Sequence, residues 1–189
     1  MKKLFLIFVI IMFVSGCSSV SEKALSTKVK GSDYNKLGSV YTPMHTELYI
    51  TEPKNNDSVI VRYSINRYGY SSFGKNKFPF YILKKDIPNL IPLLDKYLDW
   101  EVIAQKRHEI VDKKIGNTKI PKLSIQYDYI FSSGSESTHY LQVDLCSYSL
   151  IDVCSNTIFF DKNNVVLLKN ELLDIYENKI QSFNESYYN

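Results

Sequence analysis

Histidine and cysteine are both scarce, with three of each in the chain. His45, His108 and His139 stand in separate segments, none spaced from another as metal ligands are, so no metal centre is legible. A glycine-rich phosphate loop, a dinucleotide fingerprint and a calcium-binding loop are all missing, and no cofactor is indicated. The serines never fall in a G-x-S-x-G elbow. A nucleophile in "SSGSES" (132–137) would need His139 and Glu136 to converge on it, and neighbours in a hairpin tip rarely do so; no catalytic residue is assigned. No cluster of Lys and Arg with interleaved aromatics occurs, which argues against a nucleic-acid partner. The most apolar run, Leu4 to Val14, is shorter than the ~20 residues that span a bilayer core of ~30 Å.

That run has its own logic. Lys2 and Lys3 precede it, and Ser15 and Gly16 follow, which is the charged, apolar and small-residue order of a secretory signal. Residues Val14, Ser15, Gly16 and Cys17 resemble the lipobox of bacterial lipoprotein signal peptides, with Val14 standing where Leu is commoner. The resemblance covers only the first seventeen residues. It implies diacylglyceryl transfer to the Cys17 thiol, cleavage between Gly16 and Cys17, and a mature protein held on the membrane by lipid. Ser18, in place of an Asp, implies outer-membrane sorting with the domain facing the periplasm. The chemistry suits the placement, since a thiolate is a good nucleophile and two or more acyl chains anchor stably where one does not.

Loss of the leader removes Lys2 and Lys3, so 23 basic residues become 21 against 20 acidic ones, about +1 in net charge. The basic isoelectric point therefore carries no partner signal. Residues 1–16 read as the signal peptide, 17–40 as lipidated Cys17 and a flexible tether rich in Ser, Lys, Thr and Gly, and 41–189 as one domain. Such a tether spans on the order of 25 Å root mean square. Cys146 and Cys154, close in sequence and bound for an oxidising compartment, read as a disulfide, with two free thiols or two metal ligands as the alternatives.

Strict alternation marks strands. Leu123, Ile125, Tyr127, Tyr129 and Phe131 share one phase, and Leu141, Val143 and Leu145 another, around a Gly-containing polar turn; this predicts an antiparallel hairpin. Val59, Val61, Tyr63 and Ile65, "NTIFF" (156–160), "ELYIT" (47–51) and "FPFYIL" (78–83) extend the pattern. Helical spacing links Leu90, Ile91, Leu94, Leu98, Val102 and Ile103, and again Val165, Leu168, Leu172, Ile175, Tyr176, Ile180 and Phe183. Pro92 would break a bond in a helix started from Asp86, so the spacing predicts a turn at 86–88 and a helix from Asn89. The expected class is α+β: a mostly antiparallel sheet of about five or six strands with two amphipathic helices on one face.

Tyrosine is abundant, fifteen in all. "NRYGYSSFG" (66–74) gathers Arg67, Tyr68, Tyr70 and Phe73, residue types that bury area while keeping a polar handle, and these four are the candidate interface. The plainer reading of that stretch is an ordinary loop between strands. His108, beside Lys106, Arg107 and Glu109, reads as a solvated helix end. Trp100 reads as partly buried core, with an edge position serving a partner as the alternative. Asp128 and Asp144, on the polar phases of paired strands, are the best acidic pair for a hydrolase, against the simpler reading of a solvated sheet face. The expectation is a lipid-anchored, non-catalytic periplasmic binding module whose partner is an envelope protein, peptidoglycan or a toxin, the last making it an inhibitor or immunity protein. The alternatives are a hydrolase with an unrecognised acidic site and an architectural envelope lipoprotein.

Overall fold

The computed structural model describes residues 21–52, 59–71, 74–148 and 152–180. Cys17, Phe73 and Phe183 lie outside them, as does the side chain of Tyr70. The protein is α+β, with ten strands and two α-helices among the described residues. Strands β1 (Ser21–Leu25), β4 (Thr46–Glu52), β5 (Ile60–Ser71) and β6 (Gly74–Leu83) form one antiparallel sheet in the order β1-β4-β5-β6. The second sheet takes β2 (Ser32–Asn35), β3 (Val40–Pro43), β7 (Lys113–Ile120), β8 (Ile125–Ser135), β9 (Thr138–Tyr148) and β10 (Asp152–Asp161), in the order β3-β2-β10-β9-β8-β7. Helix α1 (Ile87–Arg107) joins the sheets and α2 (Lys162–Tyr176) follows β10.

Period-two burial explains the strands. Val61, Tyr63 and Ile65 of β5, Tyr127, Tyr129 and Phe131 of β8, Leu141 and Val143 of β9, and Ile158 and Phe160 of β10 are buried at alternate positions. The Phe80 ring of β6 is where the sheets meet, with ring centroids 5.1 Å from Tyr127, 6.4 Å from Tyr129 and 6.2 Å from Phe160. Tyr127 does more than fill space. Its hydroxyl accepts from the Tyr81 N–H at 3.0 Å and donates to the Pro79 carbonyl at 2.6 Å. A side chain of one sheet thus satisfies the edge strand of the other, which would otherwise bury unpaired backbone groups.

Both helices pack against the six-stranded sheet. Helix α2 buries Val165, Leu168, Leu172 and Ile175, all in the stripe that the spacing predicts. Helix α1 buries Ile87, Leu90, Leu94, Tyr97 and Ala104, so of its predicted stripe Leu90 and Leu94 are buried while Val102 and Ile103 are exposed near the helix end. Glu101, buried on α1, is paired with Lys162 at 3.1 Å, and Lys169 pairs with Asp95, so two ion pairs cross between the helices. Asp161 caps α2, its carboxylate accepting from the Asn164 N–H at 2.8 Å. No helix of the described residues is long and apolar enough to cross a membrane.

Three expectations are corrected. The tether does not extend to Val40: β1 pairs with β4 from Ser21↔Glu52 to Leu25↔Leu48, and Val29, Ser32 and Asp33 are buried. Polar composition misleads there because an edge strand needs ladder partners rather than apolar side chains. The first helix begins at Ile87, with Pro92 inside it, after a 3₁₀ turn over Lys84–Asp86. Burial of Ile87 rewards the extra turn, while both Pro88 and Pro92 face solvent, where the lost backbone bond costs least. The six strands read by alternation all form, but in two sheets, joined by β1, β2, β3 and β7. In β7 a register shift between Lys114 and Gly116 breaks the alternation that would have announced it.

Candidate interaction surface

The two faces of the six-stranded sheet carry different chemistry, and the predicted site residues divide between them. His139 alternates with Leu141 and Val143 on the inner side. It is buried, stacks on Phe131 with centroids 5.2 Å apart, and places Nε2 at 3.1 Å from the Glu109 carbonyl. Asp128 and Asp144 are direct cross-strand partners on the opposite, outer face. Both are already engaged. Asp128 accepts from Lys114 at 2.5 Å and Gln126 at 2.7 Å, and Asp144 from Gln142 at 3.0 Å and Thr157 at 2.6 Å. The sheet itself separates the histidine from the acidic pair, so the three do not form one site. His45 is exposed beside Glu47, and His108 is the left-handed C-cap of α1.

Cys146 and Cys154 form a disulfide between directly opposed positions of β9 and β10. Together with Asp128 they bring potential ligand atoms within 4.8 Å of one another. With both sulfurs bonded to each other, the cluster offers a cation only the carboxylate.

The candidate interface in "NRYGYSSFG" also divides. Arg67 is turned into the fold, its Nη1 donating to the Asn156 side chain at 2.6 Å and its Nε 3.5 Å from Asp33, which is buried. The Asp33 carboxylate also accepts the Tyr68 N–H at 2.8 Å, tying β5 to the second sheet. Tyr68 itself is 44% exposed. Tyr70 pairs through its backbone with Lys75, and Phe73 lies outside the described residues.

A different aromatic group stands out on the outer face. Tyr41 of β3 stacks on Tyr140 of β9 with centroids 4.0 Å apart, and meets Tyr34 of β2 at 4.9 Å and Phe159 of β10 at 4.8 Å. Four strands thus contribute one continuous ring cluster, and Tyr34 is 38% exposed. Gly134 makes room for it, since a Cβ there would lie 3.0 Å from Tyr140 and 3.2 Å from Tyr41. The Tyr41 hydroxyl is pushed above its usual range by burial, then by Tyr34 and Asp112; burial, then Tyr41 and Asp161, does the same for Tyr140. Both phenols therefore remain O–H donors across the neutral range, in a setting made acidic by two carboxylates. Alternation along the strands puts Tyr140 and Phe159 in the polar phase, the one signal that could have marked them. Tyr34 sits in the stretch read as tether, and Tyr41 just past its end.

Comparison with known proteins finds no matching family model, no matching curated protein and no matching solved structure. The chemistry of this surface is the ground for the functional reading.

Proposed function

We propose that this chain is a cell-envelope lipoprotein, anchored through lipid on Cys17 to the outer membrane, for which Ser18 in place of Asp is the sorting argument, and acting as a non-catalytic periplasmic interaction module. The observation that carries the interaction reading is the Tyr34–Tyr41–Tyr140–Phe159 cluster on the solvent side of the six-stranded sheet. Tyrosine is enriched where proteins meet because one ring covers much area at little cost in rotamer freedom, while its hydroxyl stays satisfied by water or partner. An envelope protein or a toxin is the class of partner, the latter making the chain an inhibitor or immunity protein.

The test is in-cell cross-linking followed by affinity purification of the tagged full-length chain and of its Tyr34→Ala/Tyr41→Ala variant. A specific partner recovered with the native chain and reduced at least tenfold with the variant supports the reading, as expected when central aromatic anchors are truncated. Background alone with the native chain sinks it. Recovery at fixed stoichiometry, indifferent to the variant, would favour an architectural role.

A further inference from the structure

A second surface lies at the C-terminal end of α1, around the only tryptophan in the chain. Trp100, Ile103, Ala104, Val111 and Phe131, with Glu109 and Lys113, line a cavity of about 230 Å³. The Trp100 ring closes one side, edge-on to Phe131 at 6.1 Å. Aliphatic surface continues beyond the lining: Ile103 is 46% exposed, its helix neighbour Val102 58%, and Ile110, between two lining residues, 66%. Large apolar side chains left in water at one helix end, around a concave floor, are the arrangement found at binding anchors.

The charges around it are one-sided. Lys96 and Lys113 hold their ammonium groups 4.9 Å and 5.1 Å from the Trp100 ring centroid. Lys96 also donates to the Ile115 carbonyl at 3.2 Å. Neither lysine is ion-paired with a carboxylate of the described residues, and the same holds for Lys106 in the last turn of the helix. The acidic member of the lining, Glu109, is already opposed by Arg107 at 3.5 Å.

Size and charge together select an occupant. Pockets for drug-sized molecules run to ~300–1,000 Å³, so this one is short of that class but suits one large side chain. Its exposed aliphatic rim calls for contacts that extend past the pocket, which a polypeptide supplies and a small molecule does not. The uncompensated lysines call for carboxylates beside the anchor. We infer that the Trp100 pocket receives a single bulky apolar side chain, flanked by Asp or Glu, from a partner polypeptide. This rests on reading the chain as an interaction module, and it assigns a second contact surface, apart from the tyrosine cluster.

Trp100 makes the inference directly measurable, because its emission reports the pocket alone. The full-length protein, reconstituted in neutral phosphatidylcholine vesicles, is used to select binders from a displayed random-peptide library. Enrichment of a Phe, Leu or Ile flanked by Asp or Glu is expected from a library without tryptophan, with binding that shifts Trp100 emission and saturates. Ile103→Asp, and separately Lys96→Glu/Lys113→Glu, should each weaken the selected peptides roughly tenfold or more. Both alter exposed positions, and unchanged circular dichroism checks that the fold persists. No enrichment, enrichment of basic sequences, or affinity indifferent to both variants overturns the inference. Phenylpropionate saturating the emission change as tightly as the peptides would assign the pocket to a free organic acid and equally overturn it. Peptides that bind but depend on Tyr34 and Tyr41 would remove this site and leave the interaction-module reading in place.

Discussion

Glu171 shows how a single side chain holds distant parts of the chain together. Its carboxylate accepts from the Tyr63 hydroxyl at 2.7 Å and from Thr27 at 2.9 Å, so α2, β5 and the segment after β1 meet at one group. Burial pushes this carboxyl above the usual 4.5, although both hydroxyls pull the other way. The native state therefore holds the proton more tightly than the unfolded chain does. The stabilisation is full below 4.5 and is lost as pH rises through the raised native value. Glu171→Gln keeps an acceptor and cannot ionise, so thermal melts on the acid side of 4.5 and at neutrality should differ less in the variant than in the native protein. An equal difference in both would show that other groups govern the slope. Tyr63→Phe removes the buried hydroxyl and leaves Glu171 one donor short, a loss of about 1–3 kcal/mol in a denaturant titration. None of this was legible beforehand: the alternation in β5 marks Tyr63 as inward-facing, but nothing local says that its hydroxyl meets an acid 108 positions away.

Among the elements, those with strong internal periodicity were legible. The β8–β9 hairpin and the α2 stripe follow directly from residues such as Tyr127, Tyr129, Leu168 and Leu172, whose neighbours along the chain already define a face. Strands whose existence depends on a partner were not. β1 forms because β4 offers it a ladder, and β7 hides behind its bulge at Gly116, where a Cβ would lie 2.8 Å from Leu93. Gly31 is tighter still, between side chains of both sheets: a Cβ would come within 2.9 Å of Ile65 and Ile158. Gly31→Ala should therefore destabilise by about 1–3 kcal/mol, read as a lower denaturant midpoint; an unchanged midpoint would mean the two isoleucines move aside freely. The β9–β10 disulfide closes a loop with a sequence separation of 8. Chain entropy assigns it roughly 2.5 kcal/mol, so Cys146→Ser/Cys154→Ser should fold but unfold at lower denaturant.

For the whole molecule, the start of β1 at Ser21 changes the geometry of anchoring. Four residues from Cys17 to Val20 reach at most about 14 Å, so a lipid on Cys17 would hold the domain against the bilayer surface instead of on a long stalk. Labelling cells with a fatty-acid analogue should mark the native chain and not Cys17→Ser, which should also keep an unprocessed leader. Equal labelling of the two would defeat the lipobox reading. Because the two proposed contact surfaces use different elements, β2, β3, β9 and β10 for one and α1 for the other, Tyr34→Ala and Ile103→Asp should be separable in their effects.

The chain alone carries what neighbouring residues can encode. It holds a signal-like pattern before Cys17, the α+β class, six of the strands, the α2 stripe and the proximity that made Cys146 and Cys154 candidates for a bond. Tertiary structure decided which strands share a sheet, that Ser21–Leu25 and Ser32–Asn35 pair into the sheets, and that Tyr34, Tyr41, Tyr140 and Phe159 form one surface while Arg67 is spent on Asp33. The reason is physical: periodicity records which side of an element is buried, whereas the identity of the group it meets depends on pairings between segments far apart in the chain.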